Sequence, residues 1–180
     1  EVEDQNNVRF HAWLCDDGGH CNTGLGIVTG VILDRVPPIG RIVFPSSGAT
    51  VNDRAVISFE GSDEGSDGRS GTDHVEFYVG YGHIWRQIGV DDTSRNGWSA
   101  VWDASEVKEQ EDIAFMARAC DRAGNCNHHI ETVKDVRLDK DMPGGAITWP
   151  PADWATAADI ITVTLESKGD PAKVVFLAYY

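Results

Sequence analysis

The chain has 180 residues, 41% of them hydrophobic, enough for a core and for one domain or slightly more. A net charge of −14 argues against nucleic acid as a partner, because so acidic a surface repels phosphate backbones, whereas divalent cations and cationic surfaces are compatible with it. No run of 18 apolar residues occurs, so no membrane insertion is expected, and the opening EVEDQNNVRF reads as neither a signal nor a transit peptide.

The first predicted element is a strand in which Val8, Phe10, Ala12 and Leu14 face inward, which turns Cys15 outward. CDDGGHC at 15–21 then closes a polar turn with two cysteines six residues apart, and CDRAGNC at 120–126 repeats the arrangement. Two identical spacings point to two local disulfides, Cys15–Cys21 and Cys120–Cys126, each at the mouth of a hairpin, and to an oxidising compartment. Half a zinc site is the alternative, but zinc pairs usually sit two to four residues apart, and neither pair has another pair nearby. No Asn-x-Ser/Thr sequon is present.

The two cysteine turns belong to a longer repeat. Cys120 lies 105 residues after Cys15, and Cys126 lies 105 after Cys21. Without gaps from Val8 to Pro45, 15 of 38 positions are identical at that offset, against about two by chance, the signature of an array. AVISFE (55–60) aligns with IITVTLE (160–166), and VEFYVGY (75–81) with VVFLAYY (174–180). The predicted organisation is therefore residues 1–36 as the last two strands, F and G, of one repeat; 37–141 as a complete repeat; and 142–180 as strands A, B and C of a third. LDRVPPIG (33–40) and LDKDMPGG (138–145) are short, stiff Pro/Gly linkers.

Within the complete repeat the period is two. Ile57 and Phe59, then Val75, Phe77, Val79 and Tyr81, then Trp98, Ala100 and Trp102, then Ile113, Phe115 and Ala117 each line one face. Polar or glycine-rich turns separate these runs, which predicts six or seven antiparallel strands folded as a β-sandwich. ASEVKEQED (104–112) reads as one brief helical turn. The expected fold is all-β: one complete sandwich flanked by two partial ones.

Signs of catalysis are sparse. GRSGT (68–72) lacks the last glycine of a nucleophile elbow, VGYGHIW (79–85) has no helix after it to form a dinucleotide loop, and six scattered histidines read as surface residues. The loop SDEGSDGRSGTD (62–73) offers Asp63, Glu64, Asp67 and Asp73 among glycines and serines, the oxygen ligands that calcium takes on a flexible turn; a solvated inter-strand loop is the other reading. Asp34, Asp139 and Asp141 beside the linkers are a second acidic set, placed where a cation stiffens a joint between domains. The six tryptophans raise glycan stacking as a rival reading, but Trp98 and Trp102 fall on the core face, while Trp13 faces outward and is a candidate contact with another chain or domain.

PSSGATV, HVEFYV, WDAS, the AxDxAGN pattern of ACDRAGN, and the D-x-x-P-P linker DRVPP together resemble the bacterial-type Ig-like repeats of secreted and cell-surface proteins. The resemblance covers the whole middle repeat and both partial ones more faintly; the cysteine pair departs from the plainest members. It implies a tandem Ig-like antiparallel β-sandwich and an extracellular or cell-surface location. It also implies a non-catalytic structural or adhesive role in a stalk, fibre or appendage sheath. An ancillary module of a secreted hydrolase that contacts cell-surface glycan is the alternative. Both partial repeats are expected to expose half a sandwich, so Val174, Val175, Phe176, Leu177 and Tyr179 are expected to contact other repeats or other copies of the chain.

Overall fold

The computed structural model describes residues 3–24, 26–63, 68–127, 132–149, 162–168 and 173–177. It divides into two compact units, Glu1–Asp139 and Lys140–Tyr180. The described residues form fourteen strands and no helix, and the fold is antiparallel all-β apart from one short parallel pairing.

In the first unit, the leading strands are β1 (Gln5–His11), β2 (Leu14–Cys15), β3 (Cys21–Asn22) and β4 (Ile27–Leu33). β1 pairs with β4, and β2 with β3. The body of the unit contains β5 (Ile39–Phe44), β6 (Thr50–Val51), β7 (Arg54–Ser62), β8 (Thr72–Tyr81), β9 (Ile84–Asp91), β10 (Trp98–Asp103), β11 (Gln110–Asp121) and β12 (Val133–Leu138). These make a three-stranded sheet ordered β10-β7-β5 and a five-stranded sheet ordered β6-β12-β11-β8-β9. β6 runs parallel to β12; the remaining neighbours are antiparallel.

A single core lies between these two sheets. The two-residue period sends Ile42, Ile57, Phe59, Trp98 and Trp102 inward from one sheet and Val75, Phe77, Val79, Phe115 and Val136 inward from the other. Trp102 meets Phe115 edge to face across the layers, with ring centroids 5.4 Å apart. The predicted helical turn at 104–112 is not helical. One hydrogen bond from Val107 N to Ala104 O marks a turn, and β11 has begun by Gln110. Glu106 and Glu109 sit in a crossing too short for helix nucleation, and the ladder with β12 claims the residues that follow.

The β1–β4 and β11–β12 hairpins have the same ladder. Gln5, Val8 and Phe10 face Leu33, Val31 and Val28; Gln110, Ile113 and Phe115, each 105 residues on, face Leu138, Val136 and Val133. Both ladders shift register at corresponding places. Each shift carries left-handed residues at matching positions, Asn7 and Asp112 on one strand and Gly30 and Asp135 on the other. Asn, Asp and Gly tolerate positive φ best, which explains how one bulge is encoded by different residues.

The second unit contains β13 (Gly144–Trp149) and β14 (Thr164–Lys168), paired antiparallel from Gly144↔Lys168 to Trp149↔Thr164. β5 and β7 pair from Ile39↔Ser62 to Phe44↔Ser58, again with a shift before the last pair. Ile147 thus corresponds to Ile42, and Leu165 to Phe59. Val174, Val175, Phe176 and Leu177 are exposed and join no ladder, although the alignment with β8 predicts a strand there. β8 is held by β9 and β11, and no such neighbours flank 173–177 among the described residues of this unit. Tyr179 lies outside the described residues.

Candidate metal centre

Three aspartates converge where the chain leaves β4 and meets the loops of the sandwich. Asp34 follows β4, Asp63 follows β7, and Asp121 ends β11. One carboxylate oxygen from each lies within 4.8 Å of the other two, and all three residues are buried.

Each carboxylate is held by backbone donors. Asp34 accepts from Val36 N (3.0 Å) through Oδ1 and from Ser70 N (2.7 Å) through Oδ2. Asp63 Oδ2 accepts from Gly71 N (2.8 Å). Asp121 Oδ1 accepts from Ala123 N and Asn125 N (both 2.9 Å), and its Oδ2 from Asn125 Nδ2 (2.8 Å). The same Asn125 amide also donates to the Asp34 carbonyl at 3.1 Å, tying the turn to the incoming segment. Asn6 Oδ1 accepts from Gly68 N at 3.2 Å, adding a second tie. Gly68 sits at φ +90 with its backbone against the β1 end; a Cβ there would lie 2.6 Å from Gln5 N, so only glycine fits.

The Cys120–Cys126 bridge closes the turn that presents Asp121, and Gly124 at φ +92 completes it. Asn127 Oδ1 accepts from the buried Ala119 N at 2.9 Å and secures the far side. The disulfide therefore fixes the turn that carries Asp121 as well as a hairpin mouth. Strand parity predicts an outward Cys120; the residue is 3% exposed and pairs with His74 of β8.

Charge is poorly balanced here. Arg69 Nη1 lies 3.8 Å from Asp34 Oδ1, and Arg122 Nη1 donates to the neighbouring Ser70 carbonyl at 3.2 Å. Burial pushes the Asp63 carboxyl above its ordinary range; the Gly71 hydrogen bond opposes this, and the Asp34 and Asp121 charges add to it. Burial also acts against ionisation of Asp34, but hydrogen bonds from Ser70 and Val36, helped by Arg69, outweigh it and hold that carboxyl low. Thr72 stands opposite Asp121 in the β8–β11 ladder, and its buried hydroxyl has no hydrogen-bond partner among the described residues.

The donor set is all hard oxygen. Ligands on opposite sides of a calcium ion, about 2.4 Å from it, stand about 4.8 Å apart, so the three carboxylates fit one such ion. The residues singled out in the 62–73 loop separate: Asp63 joins this cluster, and Asp73 instead pairs with His74 Nδ1 at 2.9 Å. Glu64 and Asp67 lie outside the described residues. Asp34, grouped by sequence with the linker residues Asp139 and Asp141, is brought to Asp63 and Asp121. Asp121 was missed by the sequence reading, although an aspartate follows the first cysteine in both turns, at Asp16 and Asp121. Trp13 is largely exposed between β1 and β2.

No protein-family model and no curated protein matches the chain. Among solved structures it is similar to one described as a Ca2+-stabilized adhesin that helps an Antarctic bacterium reach out and bind ice. The identity is 12% and the TM-score 0.34, covering 79% of this chain and 34% of that one. The chain thus spans about a third of that structure's length, and so distant a likeness carries no argument about this chain's role.

Proposed function

We propose that this chain is a non-catalytic structural or adhesive segment of an extracellular fibre, stalk or surface-appendage sheath, built from tandem Ig-like repeats. The observation that carries the reading is the ladder shared by the β1–β4 and β11–β12 hairpins, bulge included, at a spacing of 105 residues. Strand orders β10-β7-β5 and β6-β12-β11-β8-β9 support the Ig-like part. Two disulfides suit an oxidising, extracellular setting.

In this reading the function is mechanical. The Asp34 segment is the joint between one repeat and the next, and calcium shared by Asp34, Asp63 and Asp121 braces it. Burial chiefly, and the Asp34 and Asp121 charges besides, disfavour the ionised Asp63 carboxyl; a bound cation offsets both, so binding and joint stiffness are coupled. The test is limited proteolysis of the full chain at the Asp34–Val36 segment, with melting, in millimolar calcium and in chelator. Calcium is expected to slow the cut and raise Tm by several degrees, and Asp121→Asn to abolish both effects. Equal cutting and equal Tm in the two buffers retire the braced joint.

A further inference from the structure

The β1–β4 hairpin carries an apolar face that is half-buried at Val8 and Val31 and open at Phe10 and Val28. Phe10 is 57% exposed and Val28 58%, while their counterparts Phe115 and Val133 are 0% and 8%. In the sandwich, β5 and β7 lie over β11 and cover that inner face with Ile42 and Phe59. The second unit carries the matching half. β13–β14 reproduces the β5–β7 ladder, and Ile147 (60% exposed), in the place of Ile42, is bare.

We infer that the β13–β14 hairpin of a second copy of this chain seats on the apolar face of β1–β4, as β5–β7 seats on β11–β12. Shape and register argue for this occupant: both hairpins keep the ladders of the two halves that already fit together in the middle of the chain. The inference rests on those ladders and not on the cation. Because the two surfaces differ, the contact is heterologous and joins copies head to tail, so it adds subunits without closing a symmetric dimer. Exposed apolar residues at both surfaces supply the driving force, as their equivalents do in the core.

Sedimentation velocity of the full chain tests this through two variants, Phe10→Asp and Ile147→Asp. Both positions are exposed, and an unchanged melting transition of the sandwich confirms that each variant folds. Wild type is expected to gain mass with concentration, and each variant alone to stay monomeric. An equimolar mixture of the two is expected to stop at a dimer, because one variant keeps an intact β1–β4 face and the other an intact β13–β14 hairpin. A wild type that stays monomeric overturns the inference. So do single variants that assemble like wild type, or a mixture that remains monomeric; these point to another cover for the face or to non-specific association.

Discussion

The β1–β4 and β11–β12 hairpins share pairings, a bulge and a disulfide-closed turn, yet one is bare and the other buried. Their ladders also differ in length. β11 runs unbroken from Gln110 to Asp121, while the equivalent stretch splits into β1 and β2 with Ala12 and Trp13 outside the ladder. β11 is hydrogen-bonded on both edges, by β12 and β8; among the described residues β1 pairs with β4 alone. Hairpin register is thus a local property, whereas strand continuity and burial need neighbours. The cysteines follow the same rule: Cys120 is buried beside β8 and Cys15 is exposed.

Four measurements sharpen or break this comparison. Phe115→Ala should cost the sandwich about 3–5 kcal/mol, read as a fall in the denaturation midpoint, whereas Phe10→Ala should leave that transition of dilute chain unchanged. A large effect of Phe10→Ala would mean that the first hairpin is already covered. Removing the Cys120–Cys126 bridge with serines should cost about 2 kcal/mol in the same melt, and removing Cys15–Cys21 should leave the main transition in place.

Asn127→Ala leaves the buried Ala119 N–H without its acceptor, and about 1–3 kcal/mol should be lost. Asn22 accepts a hydrogen bond from the exposed Gly24 N, and Asn22→Ala should cost a few tenths of a kcal/mol by chemical denaturation.

The smallest effect is at Asp63 and changes sign with conditions. Its folded-state carboxyl is raised, so its favourable contribution exists below the unfolded value and is lost as pH rises through the folded one. Without metal, Asp63→Asn should therefore melt slightly higher than wild type at neutral pH, the gap closing as the buffer is acidified. Asp34 is depressed and works in the opposite sense: its contribution is present above the unfolded value and lost as pH falls through the folded one. In calcium the order at Asp63 should reverse, with wild type melting higher. Melting curves across pH, with and without calcium, measure each of these arms.

Much of the sandwich was legible beforehand because strand parity is a local code. Ile57, Phe59, Val75, Phe77, Trp98, Trp102, Ile113 and Phe115 are inward in the alternation and inward in the core. The aspartate cluster was only partly legible. Asp63 stood out within an acidic loop, but Asp34 and Asp121 lie 29 residues before and 58 after it, and no periodicity links them.

Alone, the sequence determined the alternating faces of the middle strands and the two cysteine turns, since each depends on neighbours a few residues away or across one turn. Tertiary structure decided which apolar faces are covered and which carboxylates meet, because both depend on segments far apart in the chain closing on one another. Phe10 and Phe115 make the case: both occupy the same position in the same ladder, and only the presence of a facing sheet buries one of them.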